Sequence, residues 1–267
     1  MLKDKLYIQD SIFAHAFSSS WWNKPTHFEW VRNTNSDKII LTDNHLTQVE
    51  NLSGKKIIGW LIESPAITPS AYKYIFNNYD KFDKVYTFKK TLLDMSNKFE
   101  LLPSGNCWIL PDDRKVHSKT KLISIISSNK KQTYGQQLRH KIINTHNNID
   151  VYGNGYNPID NKISGLKDYM FSVVIENHRE DYFFTEKLID CLVTGTIPIY
   201  YGCPSISKFF DDDAILSFTN QEEFNKIISN LDEKFYNSKL KNIKNNFSES
   251  LKYVIADDIL YKKINNE

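Results

Sequence analysis

A glutamate and a lysine stand side by side at the start of a predicted helix, in the segment Thr185-Glu186-Lys187. The first turn of a helix has free backbone N–H groups and the positive end of the helix dipole, so it favours a diphosphate, to which Lys187 would add a full positive charge. The carboxylate of Glu186 can accept two hydrogen bonds, which suits the vicinal hydroxyls of a ribose. The pair predicts a nucleotide site; an ordinary solvated helix start is the alternative that the residues alone leave open.

A β-α-β unit is predicted to position these side chains. Residues 171–175 form an apolar, β-branched run typical of a strand buried on both faces, and Glu176 and Asn177 follow it. Thr185 can cap the helix that comes next, and residues 196–201 return to strand character. Because ligands collect at the carboxyl ends of parallel strands, Glu176, Asn177 and Thr185 are expected to line the same site.

The order of these residues resembles the signature of a known family. E-N at 176–177, T-E-K-L at 185–188 and G-T-I-P-I-Y-Y-G at 195–202 resemble the family 10 α1,3/4-fucosyltransferases, which move fucose from GDP-fucose to a sugar hydroxyl. That family usually has a tyrosine where this chain has Phe183, and Tyr182 stands one position earlier. The resemblance implies that both residues, and the residues of the β-α-β unit, bind the donor.

A further carboxylate follows a predicted strand in the first half of the chain. Residues 56–62 form an apolar run, and Glu63-Ser64-Pro65 comes directly after it. The turn at Pro65 would leave Glu63 at the ligand-binding edge of a parallel sheet, either as a catalytic group or as a structural anchor. The family carries a glutamate in a similar E-S-P context, so the resemblance implies that Glu63 is the general base of an inverting transfer.

Two small polar residues and an arginine are further candidates for the donor site. The predicted strand at 121–127 leads into Ser128 and Asn129, whose hydroxyl and amide can contact phosphate or ribose. Arg139 lies in a predicted helix at 134–144, where it could hold a diphosphate with a forked pair of hydrogen bonds or be an ordinary exposed arginine. The family has a comparable Ser-Asn pair and a donor-binding arginine, so the resemblance implies donor binding by all three residues.

An aromatic-rich loop at residues 18–22 contains Trp21 and Trp22. Indole rings stack well on the apolar side of a pyranose, so both are candidates for binding the acceptor sugar. Large aromatic residues also fill the cores of small domains, and this alternative stays open.

The net charge of +2 over 267 residues gives no electrostatic reason to expect a nucleic acid or an acidic polymer as partner. No stretch approaches the roughly 20 apolar residues of a membrane span, and no signal-peptide pattern is present. We therefore expect a cytoplasmic protein without a transmembrane segment and with at most weak membrane association.

The cysteines and histidines show no spacing typical of metal ligands. Cys107, Cys191 and Cys203 are predicted to be structural thiols, and the seven histidines form no metal-binding motif. The sequence therefore predicts neither a metal site nor a tightly bound cofactor. Cationic side chains could serve the leaving group, so a divalent ion need not be essential, although it could stimulate the reaction.

Helical periodicity marks several other segments. Helices are predicted at residues 70–78, 89–97, 221–230, 233–245 and 249–261. The predicted fold is α/β of the GT-B type, with two Rossmann-like domains and a cleft between them. Residues 1–112 would form the acceptor-side domain and residues 113–267 the domain that binds the nucleotide sugar.

The predicted function is an inverting transfer of fucose, or of a related deoxyhexose, from a GDP-sugar to a hydroxyl of a glycan acceptor. Two alternatives remain from the residues: a glycosyltransferase of the same fold with another nucleotide-sugar donor, and a catalytically silent module that binds a sugar nucleotide or a glycan.

Overall fold

The computed structural model describes residues 3–10, 17–20, 23–32 and 36–265. Trp21 and Trp22, the candidates for acceptor binding, lie outside these residues. One compact unit comprises residues 1–106, 181–183 and 255–267, and the other comprises residues 107–180 and 184–254. The domains predicted at 1–112 and 113–267 stay a prediction; these units divide the chain six residues earlier and assign its last residues to the first unit.

The first unit contains a parallel sheet in the order β2-β1-β3-β4-β5-β6. Its strands are β1 Asp4–Gln9, β2 Phe28–Val31, β3 Lys38–Thr42, β4 Lys56–Trp60, β5 Lys84–Thr87 and β6 Phe99–Leu101. The predicted strand at 56–62 ends two residues early, at Trp60, which pairs with Thr42 of β3. Glu63 therefore follows the carboxyl end of β4 at a distance of three residues.

The second unit contains a parallel sheet in the order β11-β10-β9-β7-β8. Its strands are β7 Lys121–Ile126, β8 Asp150–Tyr152, β9 Tyr169–Ile175, β10 Ile197–Tyr201 and β11 Leu216–Ser217. Numbered within the unit, the order is 2-1-3-4-5, and the first five strands of the first unit repeat it. This order is one of the two common doubly wound arrangements, so both units have Rossmann-like sheets.

The helices surround these sheets. They are α1 Pro69–Asn78, α2 Lys90–Leu93, α3 Tyr134–Thr145, α4 Glu186–Leu192, α5 Gln221–Ile228, α6 Glu233–Ser238, α7 Leu240–Ser250 and α8 Ala256–Asn265. A 3-10 helix at Asp43–Asn51 follows β3.

Three helix predictions are wrong in extent. The helix predicted at 89–97 ends at Leu93, because Ser96 and Asn97 turn the chain back into β6. The segment predicted at 233–245 is divided into α6 and α7 at Lys239. The segment predicted at 249–261 contains the end of α7, a 3-10 helix at Leu251–Tyr253 and the start of α8, where buried Asp257 accepts a hydrogen bond from the Trp30 indole at 2.6 Å.

Apolar side chains cover both faces of each sheet. In β9, Phe171, Val173 and Ile175 belong to a cluster that includes residues of α3, α5, α6 and α7, whereas Val174 belongs to the cluster that contains α4. This two-sided burial explains why β9 is a nearly continuous apolar run. The three cysteines are buried, as expected of structural thiols. None of the described helices combines the length and the apolar character that crossing a membrane requires.

Candidate nucleotide site

The carboxyl ends of β7 and β9 adjoin at the point where the strand order of the second sheet reverses. The two strands are hydrogen-bonded neighbours, with Ile125 opposite Val173. The chain then proceeds outward to β8 on one side and to β10 on the other. Ligands bind at such a switch point in open α/β sheets. The structure therefore brings the residues that follow β7 and those that follow β9 to one edge of the sheet.

Glu176 holds the start of α4. Its carboxylate is buried, and it accepts hydrogen bonds from the Thr185 backbone N–H at 2.8 Å and from the Thr185 hydroxyl at 2.7 Å. The Thr185 hydroxyl also accepts the backbone N–H of Lys187 at 3.4 Å, which makes Thr185 the N-cap of the helix, as predicted. Glu176 thus fixes the position of Glu186 and Lys187.

Two glycines let the backbone approach Glu176 closely. A Cβ at Gly135 of α3 would lie 1.9 Å from the Glu176 carbonyl oxygen, and a Cβ at Gly202 would lie 2.8 Å from the Glu176 Cγ. Real Cβ atoms essentially never make contacts this short. A side chain at Gly135 would therefore meet the backbone of the strand end, and one at Gly202 would meet the side chains of Tyr200 and Glu176.

We expect Gly135→Ala to lower the free energy of unfolding by about 1–3 kcal/mol, because the added methyl group meets backbone that cannot move cheaply. Urea unfolding monitored by circular dichroism measures this change. Lys141→Ala, on an exposed position of the same helix, is the matched control. Equal stability of the Gly135→Ala and Lys141→Ala proteins would contradict the close approach.

Glu186 is flanked by two lysines. Its Oε1 lies 3.1 Å from Lys187 Nζ and 3.5 Å from Lys162 Nζ. Burial favours the neutral acid, but the charges of Lys187 and Lys162 outweigh it and lower the pKa of Glu186 from 4.5 to about 2. The folded state therefore favours the carboxylate, and this contribution to stability is lost only as the pH falls from above 4.5 through about 2.

Lys162 joins Glu186 to a buried aspartate. Its Nζ lies 2.8 Å from Asp190 Oδ2 and 4.1 Å from the centroid of the Trp108 ring, and the Trp108 backbone N–H donates to Asp190 Oδ1 at 2.6 Å. Burial lowers the pKa of Lys162, but the negative charges of Asp190 and Glu186 outweigh it and raise the pKa. Lys162 therefore stays charged.

Lys162 and Asp190 are not among the site residues that the sequence predicts. Glu186 and Asp190 are four residues apart on a predicted helix, so they share a face, and two acids on one face call for a nearby cation. Nothing in the chain marks Lys162 as that cation, because it lies in a short 3-10 helix without periodicity.

We expect Lys162→Met to lower the free energy of unfolding by on the order of 3 kcal/mol, because Asp190 would lose the cation that compensates its buried charge. Lys226→Met, on an exposed position of α5, should change it by less than about 0.5 kcal/mol. Adding Asp190→Asn to Lys162→Met should recover part of the loss in urea unfolding. A double variant that loses the sum of both single losses would contradict the coupling.

Arg139 is buried rather than an ordinary exposed helix arginine. Its Nε and Nη2 donate to the Ile175 carbonyl oxygen at 3.0 and 2.5 Å, and Nη2 also donates to Asn177 Oδ1 at 2.9 Å. Burial lowers the pKa of Arg139 below its ordinary value, and the negative charges of Glu176 and Glu186 offset this effect only in part. Arg139 thus holds the carboxyl end of β9 and orients Asn177.

The two polar residues after β7 lie against a glycine turn. Ser128 is half-buried and Asn129 is exposed. A Cβ at Gly155 would lie 2.7 Å from the Asn129 Cβ, and Gly153 has a φ of +110° that favours glycine. The glycine turn after β8 therefore lies beside this part of the site.

The structure assigns Tyr182 and Phe183 to the first unit. Phe183 is buried, and its ring centroid lies 4.5 Å from that of Phe88. Tyr182 is half-buried with a φ of +63°, which is uncommon for a residue other than glycine. Donor binding by these two residues stays a prediction.

Glu63 lies beyond the end of β4 in the first unit and is partly exposed. Its backbone is fixed on both sides: its N–H donates to Asp43 Oδ1 at 3.2 Å, and its carbonyl oxygen accepts the Tyr72 hydroxyl at 2.7 Å. A partly exposed carboxylate on a fixed backbone can accept a proton from a bound hydroxyl. Within the described ranges, no group of three or more His, Cys, Asp or Glu side chains could hold a metal ion.

A family model described as glycosyltransferase family 10 (fucosyltransferase), C-terminal part, matches residues 116–253, just over half of the chain. The chain belongs to this family. The matched region contains the carboxyl ends of β7 and β9, α4 and every predicted donor-binding residue.

Two curated relatives are similar over shorter stretches. The chain is 36% identical over 74 residues to an α-(1,3)-fucosyltransferase of Helicobacter pylori, covering 28% of this chain and 15% of the relative. It is 32% identical over 114 residues to α-(1,3)-fucosyltransferase B of Drosophila melanogaster, covering 40% of this chain and 25% of the relative. The alignments thus span a quarter or less of each relative.

Solved structures of low sequence identity share the fold. A crystal structure of an α1,3-fucosyltransferase with GDP has a TM-score of 0.57 at 20% identity, covering 94% of this chain and 89% of that one. A structure of the same kind of enzyme with GDP-fucose has a TM-score of 0.56 at 20% identity, covering 89% and 81%. TarM has a TM-score of 0.54 at 16% identity, covering 86% and 55%. The predicted α/β fold of the GT-B type is confirmed.

Proposed function

We propose that this family 10 member is an inverting glycosyltransferase that moves fucose, or a related deoxyhexose, from a GDP-sugar to a hydroxyl of a glycan acceptor. The observation that carries the proposal is Glu186, a carboxylate held ionised between Lys187 and Lys162 at the switch point of a Rossmann-like sheet. An ionised carboxylate can accept both hydroxyls of a ribose, and the neighbouring cations favour a diphosphate.

The family and the compounds bound by similar proteins support the choice of donor. The family is described as fucosyltransferase, and one structure of the same fold contains GDP-fucose. Another protein of this fold, a pneumococcal O-GlcNAc transferase with a TM-score of 0.54, was solved with UDP. The fold alone is therefore compatible with either nucleotide, and the family favours GDP.

In the proposed reaction each residue has a defined part. Glu186 binds the ribose hydroxyls, Lys187 contributes positive charge to the diphosphate, and Arg139 orients Asn177 and adds charge at the same strand end. Glu176 and Thr185 hold the start of α4 in place. Ser128 and Asn129 follow β7 at the same edge of the sheet, where their side chains can contact phosphate or ribose.

Glu63 is proposed to be the general base. Its carboxylate takes the proton of the acceptor hydroxyl as the hydroxyl oxygen bonds to the anomeric carbon. The bond from that carbon to the phosphate oxygen breaks, and the diphosphate leaves with the electron pair. Attack from the face opposite the leaving group inverts the anomeric configuration.

The test is a panel of nucleotides and sugar nucleotides. Isothermal titration of the purified chain with GDP, UDP and ADP should give binding by GDP at least about tenfold tighter than by the other two, the difference that a guanine-specific hydrogen bond supplies. Incubation with GDP-fucose and an array of glycans should give a product whose linkage is read by mass spectrometry. Tighter binding of UDP, with UDP-sugars as the productive donors, would favour the alternative transferase.

We expect EDTA to leave the transfer rate unchanged within about twofold, because Lys187 and Arg139 supply positive charge beside the predicted diphosphate. The effect of EDTA is measured as initial rates with and without the chelator. Each measurement is repeated with added Mn²⁺ as a control. Loss of turnover that Mn²⁺ restores would contradict it.

A further inference from the structure

Asp43 is a buried acid beside the proposed base, and the proposed mechanism has not used it. It follows β3, whereas Glu63 follows the neighbouring strand β4, so the two acids lie at the same end of adjacent parallel strands. The side chain of Asp43 is almost completely buried, with 1% of its surface exposed.

The two oxygens of Asp43 have different surroundings. Oδ1 accepts the backbone N–H of Ile62 at 3.1 Å and that of Glu63 at 3.2 Å. Oδ2 is buried and has no hydrogen-bond partner among the described residues. A buried carboxylate oxygen without a partner is costly, so this site is unfavourable for an ionised aspartate and suits a protonated one.

The backbone at Asp43 is also unusual. Its φ of +41° lies in the left-handed region, which aspartate tolerates better than most residues but which still costs energy. Such conformations persist where the surroundings hold them, and they collect at functional sites. Here the conformation turns the chain from β3 into the 3-10 helix while Asp43 reaches the segment after β4.

We propose that Asp43 is a positioning residue for the reaction: it fixes the Glu63 backbone through its Oδ1 and, as a neutral acid, adds no second negative charge beside Glu63. This inference rests on the proposed role of Glu63 as the base. A second negative charge beside Glu63 would disfavour the ionised form of Glu63, which must accept the proton. A neutral Asp43 holds the backbone without this effect.

The ionisation behaviour of Asp43 supports this role. Burial raises the pKa of Asp43 to about 8, the negative charge of Glu63 acts in the same direction, and the two N–H groups oppose it. Among the described acids on adjacent elements, Asp10, which follows β1, is paired with Arg32 at 2.7 Å, and Glu50 of the 3-10 helix is bound to Tyr74 of α1 and Lys81. Because the folded chain keeps a proton that the unfolded chain has lost, stability should fall as the pH rises from about 4 to about 8.

The experiment compares Asp43→Ala and Asp43→Asn at saturating donor, with Asp37→Asn, an exposed acid, as the control. Asp43→Ala should lower kcat by on the order of 10- to 100-fold with little change in the KM for the donor, because the base is misplaced while the donor site is intact. Asp43→Asn keeps the acceptor for both N–H groups and should recover most of this loss at neutral pH. Asp37→Asn should behave as the parent protein.

The pH profile separates positioning from a merely structural role. Above about pH 8, kcat of the parent protein should fall as Asp43 ionises, and that fall should be absent in Asp43→Asn. Circular dichroism melts over the same pH range check folding, and Asp43→Asn should lose the fall in stability between about pH 4 and 8.

Glu63→Gln in the same series separates this inference from the proposed function. If Glu63→Gln keeps the parent rate, the proposed base itself is wrong. Three results with an inactive Glu63→Gln protein would overturn only the role of Asp43. The first is a folded Asp43→Ala protein that keeps the parent kcat, and the second is a loss of kcat in Asp43→Asn as large as in Asp43→Ala at neutral pH. The third is the same alkaline fall in kcat in Asp43→Asn and in the parent protein.

Discussion

Replacing Glu63 by glutamine is expected to lower kcat for glycosyl transfer by about 10²- to 10⁴-fold, the range of effects for a general base in proton transfer. Glutamine has nearly the same shape but accepts no proton, and the contacts to Asp43 and Tyr72 use only the backbone of residue 63, so they should survive. Affinity for GDP should stay within about twofold, because the predicted donor-binding residues of α4 lie in the other unit. Initial rates at saturating donor and titration with GDP measure the two effects.

The control for this variant is Glu29→Gln, an exposed glutamate of β2 in the same unit. It makes the same chemical change at a site without a predicted role, so its rate should equal that of the parent. A Glu63→Gln protein that transfers as fast as Glu29→Gln would remove Glu63 as the base and favour either another base or a module that only binds.

Replacing Glu186 by glutamine is expected to weaken binding of the GDP-sugar by about 10- to 100-fold, since a hydrogen bond to a charged group contributes roughly 1.5–3 kcal/mol. The amide keeps one acceptor for the ribose and loses the charge and the other acceptor. Because the pKa of Glu186 is lowered to about 2, the parent carboxylate stays ionised across the neutral range. Donor affinity should therefore show no titration of this group between about pH 5 and 8.

The matched control is Glu222→Gln, an exposed glutamate in the first turn of α5 in the same unit. This variant tests whether removing an acid from the first turn of any helix changes the affinity for the donor. Titration with GDP and with guanine base alone locates the effect. Loss of a ribose contact weakens the binding of GDP and leaves the binding of guanine unchanged. Equal affinities of Glu186→Gln and the parent for GDP would remove Glu186 from the donor site and leave it as a structural partner of Lys162 and Lys187.

The order of elements around α4 could be read from the sequence because local rules suffice there. A β-branched run buried on both faces permits only a central strand, and Thr185 is a strong N-cap. The structure gives β9 at Tyr169–Ile175, caps α4 with Thr185 and begins β10 one residue after the predicted start. Local periodicity could not give the extent of the helix predicted at 249–261, since α8 begins where Asp257 accepts the Trp30 indole N–H, a contact between residues 227 positions apart.

Residue types and short spacings were enough to predict the fold class, the family and the strand ends after which the candidate residues stand. The contacts of those residues follow from tertiary packing instead. It made Glu176 a buried anchor for Thr185, turned Arg139 toward the Ile175 carbonyl oxygen, and gave Glu186 the second cation Lys162. The partners in these contacts are 9 to 36 residues apart in the chain. No local pattern relates residues so far apart, since only packing of the sheet brings their charges together.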